Sequence, residues 1–214
     1  GPINCFYRLA KSLPNIKYTS IDISSPIAMI KMDLTKLCFK DIIFDFILCY
    51  HVLDDIEDDL LAMSEMFRVL KPNGLILYNF SYGQNDPLLP YSIMENFDKN
   101  TNFSVVDTIV WKKANAMPIN TNRLRRICEF VYVISRKSES AEFNKNINAD
   151  NFIEAANNDG LDVPFNESTF STELILKLLK IYATKGNLIY DPFMGIGTVI
   201  RACLIYDCNY IGSE

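Results

Sequence analysis

The most informative segment of this chain is Leu188-Ile189-Tyr190-Asp191-Pro192-Phe193-Met194-Gly195-Ile196-Gly197-Thr198. An apolar strand runs into a loop with two closely spaced glycines, and a helix is predicted to start near Gly197. Glycines let the backbone approach a ligand, and a helix N-terminus offers free amides. An acidic residue, Glu214, follows the next predicted strand, where a carboxylate can accept hydrogen bonds from both ribose hydroxyls. The unit predicts a binding site for a nucleoside cofactor.

The rest of the chain alternates short apolar runs with longer segments of helical period, which predicts an α/β sheet with helices on both faces. Helices are predicted at Ile56–Leu70 and Thr172–Tyr182. The stretch Ser138–Glu167 is rich in Asn, Asp and Glu and predicts a surface excursion between two core segments. The predicted strands are Ile16–Ile21, Ala28–Met32, Phe44–Cys49, Leu75–Phe80, Val106–Trp111, Phe130–Ser135, Leu188–Tyr190 and Asn209–Gly212.

Size and composition indicate one domain, residues 1–214, with a sizeable core, because 49% of the 214 residues are hydrophobic. The apolar runs are too short to cross a bilayer, so no membrane contact is expected. Six cysteines show no pair at metal-ligand spacing, which favours reduced thiols in a cytoplasmic protein and no metal site. The net charge of −5 argues against bulk electrostatic attraction to nucleic acid but leaves room for a local basic patch.

The glycine loop, followed by Tyr210-Ile211-Gly212-Ser213-Glu214, closely resembles the cofactor motifs of DNA methyltransferases that modify exocyclic amines, at N6 of adenine or N4 of cytosine. The resemblance spans about Leu75 to Glu214 and includes Asp107–Pro118, Arg123–Arg126, Glu129–Lys137 and Phe170–Glu173. It implies S-adenosyl-L-methionine as the cofactor and DNA as a partner. It places Phe170 near the cofactor's methionine moiety and the excursion at the position of target recognition. The cofactor-binding residues that it implies in the loop and beyond are Asp191, Phe193, Gly195, Gly197, Thr198 and Glu214.

The first part of the chain, about residues 16–74, resembles general class I methyltransferases instead, many of which act on small molecules. That resemblance would put Asp22 at the ribose and Asp33 near the adenine. The chain therefore offers two ribose ligands, Asp22 and Glu214. Glu214 is favoured because it follows the glycine loop directly.

A circularly permuted order reconciles the two resemblances. Starting from Ala28–Met32, the chain supplies strands three to seven of a Rossmann-like class I methyltransferase sheet, mostly parallel, and then the glycine-loop strand and its neighbour. Such an order closes without knots because the termini meet at the sheet. The alternative is a fusion of two family halves, and the sequence does not separate the two.

The catalytic motif is where the chain departs from the amino-methyltransferases. The family carries an Asp, Asn or Ser, then Pro-Pro and an aromatic, after the strand that is Phe44–Cys49 here. This chain has Cys49-Tyr50-His51-Val52. We predict that Tyr50 stacks on the target base and that His51 accepts a proton, the alternative being that both pack at a strand end. Residues 79–83 are predicted to line the cleft.

A local basic cluster lies beside Trp111 and is predicted to contact DNA phosphates, the alternative being a solvated loop face. The residues of the cluster are Lys112, Lys113, Arg123, Arg125 and Arg126.

The leading hypothesis for the function is a DNA amino-methyltransferase. The alternatives are a non-catalytic cofactor- or DNA-binding subunit and a small-molecule methyltransferase. Whether the chain forms a homodimer or binds a partner subunit stays open.

Overall fold

The structure, a computed structural model, describes residues 33–50, 58–80, 88–116, 124–139, 148–160 and 170–213. The described part contains seven strands and four helices. The strands are β1 (Phe44–Tyr50), β2 (Leu70–Phe80), β3 (Phe103–Lys113), β4 (Cys128–Arg136), β5 (Phe152–Ala155), β6 (Leu188–Asp191) and β7 (Asn209–Gly212). The helices are α1 (Asp59–Val69), α2 (Leu89–Asn100), α3 (Thr172–Tyr182) and α4 (Thr198–Tyr206).

All seven strands form one sheet in the order β5-β3-β4-β2-β1-β6-β7. Strand β4 is antiparallel to both of its neighbours, and the other four pairings are parallel. The glycine-loop strand β6 comes late in the chain but lies between β1 and β7. This α/β sheet confirms the predicted fold class and the placement of the late strand inside the sheet.

Helices cover both faces of the sheet. One core cluster packs α3 and α4 against it, through residues such as Leu178 and Ala202. The other packs α1 and α2 on the opposite face, through residues such as Met66 and Phe97. Because side chains alternate along a strand, neighbouring residues of one strand pack into opposite clusters, as Leu48 and Ile47 of β1 do.

The stretch 138–167 differs from its prediction, because four of its residues form strand β5. This strand pairs in parallel with β3, and its alternate residues Ile153 and Ala155 are buried. Four residues in a polar stretch give too short a pattern for the sequence to reveal. The sheet thus reaches seven strands with β5, while the predicted strands Ile16–Ile21 and Ala28–Met32 lie outside the described residues.

Strand β2 starts at Leu70, five residues earlier than predicted, because the sheet continues through the turn-forming sequence Lys71-Pro72-Asn73-Gly74. Asn73 has the positive φ of 58° that such a turn favours. The pairing with β1 shifts register between Phe44 and Phe46, as expected for a bulge. A Cβ at Gly74 would lie 2.9 Å from the backbone oxygen of Asp45, so only glycine fits without a shift of the chain.

Candidate cofactor and substrate site

The loop between β6 and α4 has the backbone shape of a ligand cradle. Gly195 and Gly197 have φ values of 49° and 75°, in the left-handed region that favours glycine. Gly197 is the N-cap of α4, and its N–H donates to the Met194 carbonyl at 2.7 Å. A Cβ added at Gly195 would meet only the Phe193 carbonyl, at 4.0 Å. The space beside Gly195 is therefore open to a ligand, next to the amides of the helix.

Asp191 lies at the end of β6, at the base of the loop, with 3% of its surface exposed. Its Oδ1 accepts a hydrogen bond from Phe193 N at 3.0 Å, whereas Oδ2 has no partner among the described residues. Burial raises the pKa of Asp191 to about 7, against the opposing effect of the Phe193 N–H. A buried acceptor without a partner is costly, so the site fits a ligand that brings a hydroxyl or ammonium donor.

The chain that leads to Glu214 is held against this loop. Ser213 N donates to the Asp191 carbonyl at 2.9 Å, and Tyr190 Oη lies 3.2 Å from Ser213 Oγ. Glu214 itself and the rival Asp22 lie outside the described residues, so the ribose role of either stays a prediction. Asp33 is exposed, and its Oδ1 accepts from Thr35 N at 2.9 Å. The Thr35 side chain, and then this backbone hydrogen bond, lower the pKa of Asp33. Its predicted role near the adenine also stays a prediction.

Tyr50 and Phe170 meet beside the cofactor loop. Their rings stack with centroids 4.1 Å apart, and Tyr50 is 6% exposed. Phe170 is half-buried and directly precedes Ser171, the N-cap of α3. Burial, and then the nearby charge of Asp191, raises the pKa of Tyr50 well above its ordinary value, so its hydroxyl stays protonated. Tyr50 packs in this arrangement, as the alternative interpretation expects, and His51 lies outside the described residues.

Asn79 is the neighbour of Tyr50 on the adjacent strand, and the two are register partners in β1 and β2. Asn79 is fully buried, and its Nδ2 donates to the Phe130 carbonyl at 2.9 Å. Its Oδ1 has no partner among the described residues. The sequence suggested only that residues 79–83 line the cleft. The signal that could have singled out Asn79 is a polar amide at the end of an otherwise apolar strand.

The structure does not bring the predicted basic cluster together as one free patch. Lys112 pairs with Glu154 on β5 at 3.0 Å, and Lys113 pairs with the buried Glu129. Trp111 is buried, with its indole N–H on the Ala155 carbonyl at 3.1 Å, so it packs in the sheet and does not face a base.

The arginines of the cluster lie elsewhere. Arg125 and Arg126 are exposed on the segment before β4, and Arg125 Nη1 lies 3.4 Å from the Ala116 carbonyl. Arg123 lies outside the described residues. The predicted DNA contacts therefore divide into two ion-paired lysines and an exposed arginine segment.

An ion pair that the sequence did not predict ties the stretch after β5 to the cofactor loop. Asp159 accepts from Thr172 N at 2.7 Å, at the start of α3, and pairs with Arg201 of α4 at 3.0 Å. Arg201 also reaches Thr198 Oγ1, at 3.3 Å. Thr198 is the first residue of α4, so Asp159 connects the N-termini of both helices.

Among the described residues, no group of His, Cys, Asp or Glu is arranged to hold a metal ion. No helix in the described part of the chain is both long and apolar enough to cross a membrane.

The fold, with its glycine loop on an inner strand of the sheet, defines a class I methyltransferase. The chain belongs to the DNA methylase family of N6 and N4 methyltransferases, whose model matches residues 61–214. A second model, described as a methyltransferase domain, matches residues 7–78. Both parts of the resemblance seen in the sequence are thus confirmed.

Individual relatives agree with this family. The Type II methyltransferase M.Cfr9I of Citrobacter freundii is 30% identical over 125 residues, which are 50% of this chain and 38% of that protein. The chain therefore spans under two fifths of the length of that curated relative.

Solved structures agree as well. The M1.HpyAVI–SAM complex is 26% identical, with a TM-score of 0.62 over 81% of this chain and 83% of that one. PvuII DNA methyltransferase, described as cytosine-N4-specific, shares the fold with a TM-score of 0.73 at 14% identity, over 94% and 83% of the two chains. TTHA0409 of Thermus thermophilus, complexed with S-adenosyl-L-methionine, has a TM-score of 0.60 at 17% identity, over 83% and 82%.

Proposed function

We propose that this protein binds S-adenosyl-L-methionine in the loop Asp191–Thr198 and transfers a methyl group to an exocyclic amine in DNA, N6 of adenine or N4 of cytosine. The observation that carries the proposal is the cradle itself. The same loop contains open space at Gly195 and a buried Asp191 Oδ2 that has no partner among the described residues, in a chain of the DNA methylase family. Relatives crystallised with the same cofactor support the choice of ligand.

In such a reaction the protein binds the cofactor and orients the target amine. The cofactor, when bound, supplies a methyl group on a positively charged sulfur. The Asp191 carboxylate would accept a hydrogen bond from the cofactor, and the free amides at the start of α4 would donate to it. Phe170, stacked on Tyr50, forms an apolar wall beside the loop.

The target amine must be held, because its nitrogen lone pair is delocalised into the base and it is a weak nucleophile. Proximity and orientation then supply much of the acceleration. Because the Pro-Pro motif is missing after Cys49, we expect transfer to DNA to be slow. A positioned proton acceptor contributes roughly a hundred- to ten-thousand-fold to a rate.

The test is a pair of measurements on the same preparation. Calorimetry with the demethylated cofactor reports binding at the glycine loop. Transfer of a labelled methyl group to duplex and single-stranded DNA reports catalysis. Cofactor binding with slow transfer supports the proposal, and absence of cofactor binding contradicts it.

The second candidate is a non-catalytic subunit that binds the cofactor or DNA. Two observations favour it: the missing Pro-Pro motif and the burial of Tyr50 under Phe170. Tight cofactor binding without any transfer to DNA would identify this case.

The third candidate is a small-molecule methyltransferase, which the match of residues 7–78 to a general methyltransferase domain supports. A DNA mobility-shift assay distinguishes it from the other two, because a small-molecule enzyme has no reason to retain DNA.

A further inference from the structure

Two buried polar groups lie next to each other at the carboxyl end of the sheet, close to the cofactor loop. Tyr50 is the last residue of β1, and Asn79 is its register partner on β2. Both side chains belong to the face that α3 and α4 cover, because Tyr50 and the alternate β2 residues Leu75 and Leu77 lie in that core cluster. Tyr50 is 6% exposed and Asn79 is 0% exposed.

Each of the two residues has a polar atom whose hydrogen-bonding capacity the described residues do not use. Asn79 Nδ2 donates to the Phe130 carbonyl, which fixes the orientation of the amide and turns Oδ1 away from that strand. Neither Asn79 Oδ1 nor Tyr50 Oη has a partner among the described residues. Asn79 Oδ1 can only accept, and the protonated Tyr50 hydroxyl can donate. A buried acceptor and a buried donor, neither with a partner among the described residues, thus belong to register-paired residues on one face of the sheet.

We propose that Asn79 Oδ1 and the Tyr50 hydroxyl bind the Watson–Crick edge of the target base, with Asn79 holding its exocyclic amine. The inference rests on the proposed function. It assigns the role of the missing Pro-Pro motif, which is to hold the target amine, to two residues of neighbouring strands. The base enters by displacing Phe170, the half-buried side chain that covers the Tyr50 ring.

The chemistry of this pair selects adenine and cytosine. Both bases present an amine N–H beside a ring nitrogen that accepts, which matches an acceptor beside a donor. Guanine and thymine carry a carbonyl oxygen where the amine would be. In the same orientation that oxygen would face Asn79 Oδ1, and two acceptors repel each other.

The transfer step balances without a further reactant. The amine nitrogen attacks the methyl carbon, the carbon–sulfur bond breaks, and the electron pair stays on sulfur, which becomes a neutral thioether. The methylated amine then loses one proton to water. The amide of Asn79 takes no proton, and its contribution is to hold one N–H so that the nitrogen lone pair faces the methyl group.

The experiment compares oligonucleotides that differ in the amine alone, with the protein saturated with demethylated cofactor. Single-stranded dA and dC oligomers are matched with oligomers in which hydrogen replaces the exocyclic amine. We expect the parent to bind the amine-carrying oligomers about tenfold more tightly, the effect of one hydrogen bond to a buried acceptor that is otherwise unsatisfied. Asn79→Leu, which keeps the side-chain volume, should remove this preference. Tyr50→Phe should weaken the binding of both kinds of oligomer equally.

A structural role for Asn79 is tested by Asn79→Asp. A protonated carboxyl donates to the Phe130 carbonyl with one oxygen and still accepts with the other, so this variant should restore the preference that Asn79→Leu loses. Ser135→Ala, a change of a buried polar residue on β4 away from the site, should leave both the preference and the cofactor affinity unchanged.

Two results would overturn the inference: a parent without the amine preference, or an Asn79→Leu variant that keeps it. The proposed function fails separately, if the parent retains the preference and binds cofactor but transfers no labelled methyl group to either oligomer. Thermal melting of each variant shows whether it is folded.

Discussion

At the scale of single residues, Gly195 shows how the site depends on a backbone conformation that other residues avoid. Its φ of 49° is strained for an L-residue, and a Cβ there would point into otherwise open space. Gly186 has the same two properties, with a φ of 85° and nothing within 4 Å of a Cβ placed there, but it lies before β6 and away from the loop. The two glycines therefore form a matched pair.

We expect Gly195→Val and Gly186→Val to lower stability by a similar amount, about 1–2 kcal/mol, because both force a left-handed conformation on a residue with a side chain. Only Gly195→Val should weaken cofactor binding, because its side chain fills the cradle. Urea unfolding and calorimetry measure the two effects. Unchanged cofactor affinity in Gly195→Val would place the cofactor elsewhere.

Asp191 predicts a pH dependence of stability. Its pKa rises from the ordinary value of 3.8 to about 7 on folding, so between these values the folded state binds more protons than the unfolded state. The contribution of protonated Asp191 to the free energy of unfolding is therefore fully present below pH 4 and is lost as pH rises to about 7. Each pKa unit corresponds to about 1.4 kcal/mol, so the effect can reach a few kcal/mol.

Asp191→Asn should remove this dependence. Without cofactor, the variant should gain stability over the parent as pH rises from about 4 to about 7, between the unfolded and folded pKa values of Asp191. Its cofactor affinity should fall because the amide group carries no charge. Unfolding in urea at several pH values, with and without cofactor, measures both. Parallel pH profiles for the two proteins would mean that Asp191 titrates normally.

At the scale of elements, the sequence predicted α3 and β7 with the bounds that the structure has. Both have clear local signals: an N-cap at Ser171 with a helical apolar period, and a short apolar run after a turn. The helix α2 was missed, because Leu88 caps it without a side-chain hydrogen bond and Pro90 lies in its first turn. Prolines there favour a helix start, but in a segment rich in turn residues they indicate a loop equally well.

The site was predictable to a similar extent. The glycine loop and the acidic strand end are encoded by neighbouring residues, so the sequence alone predicts them. The pairing of Tyr50 with Asn79 and that of Lys113 with Glu129 join residues that are not neighbours in the chain. Such contacts depend on strand order and register, which a single sequence does not specify.

The Asp159 link between α3 and α4 belongs to this scale. Asp159→Ala should lower stability by about 1–2 kcal/mol, because it removes a capping bond to Thr172 and leaves Arg201 without its acid. The side chains of Asp159 and Arg201 are 21% and 24% exposed, so solvent screens the pair only in part. The control is Glu95→Ala, which breaks the exposed pair with Lys99 and should cost a few tenths of a kcal/mol. Equal losses in the two variants would show that the link adds nothing.

At the scale of the whole molecule, contact with DNA has to overcome a net charge of −5. Long-range attraction is then absent, and affinity depends on where local positive charge is free of acids. Lys112 lies on β3, next to the edge strand β5, and Glu154 of β5 neutralises its charge at 3.0 Å. Arg125 is exposed, and its described contact is with a neutral carbonyl oxygen. These two residues predict different responses to salt.

We expect Arg125→Ala to lower the slope of log affinity against log salt by about one unit, because one fewer counterion is released from DNA. Lys112→Ala should change the slope by less, because its charge is already balanced by Glu154. Glu154→Gln should do the opposite and raise both affinity and slope, because it leaves the charge of Lys112 available to a phosphate. Fluorescence anisotropy with a short duplex, over a series of salt concentrations, measures all three. If Lys112→Ala flattened the slope as much as Arg125→Ala and Glu154→Gln changed nothing, DNA would displace the Glu154 pair, and the phosphate-binding surface would extend across the edge strand β5.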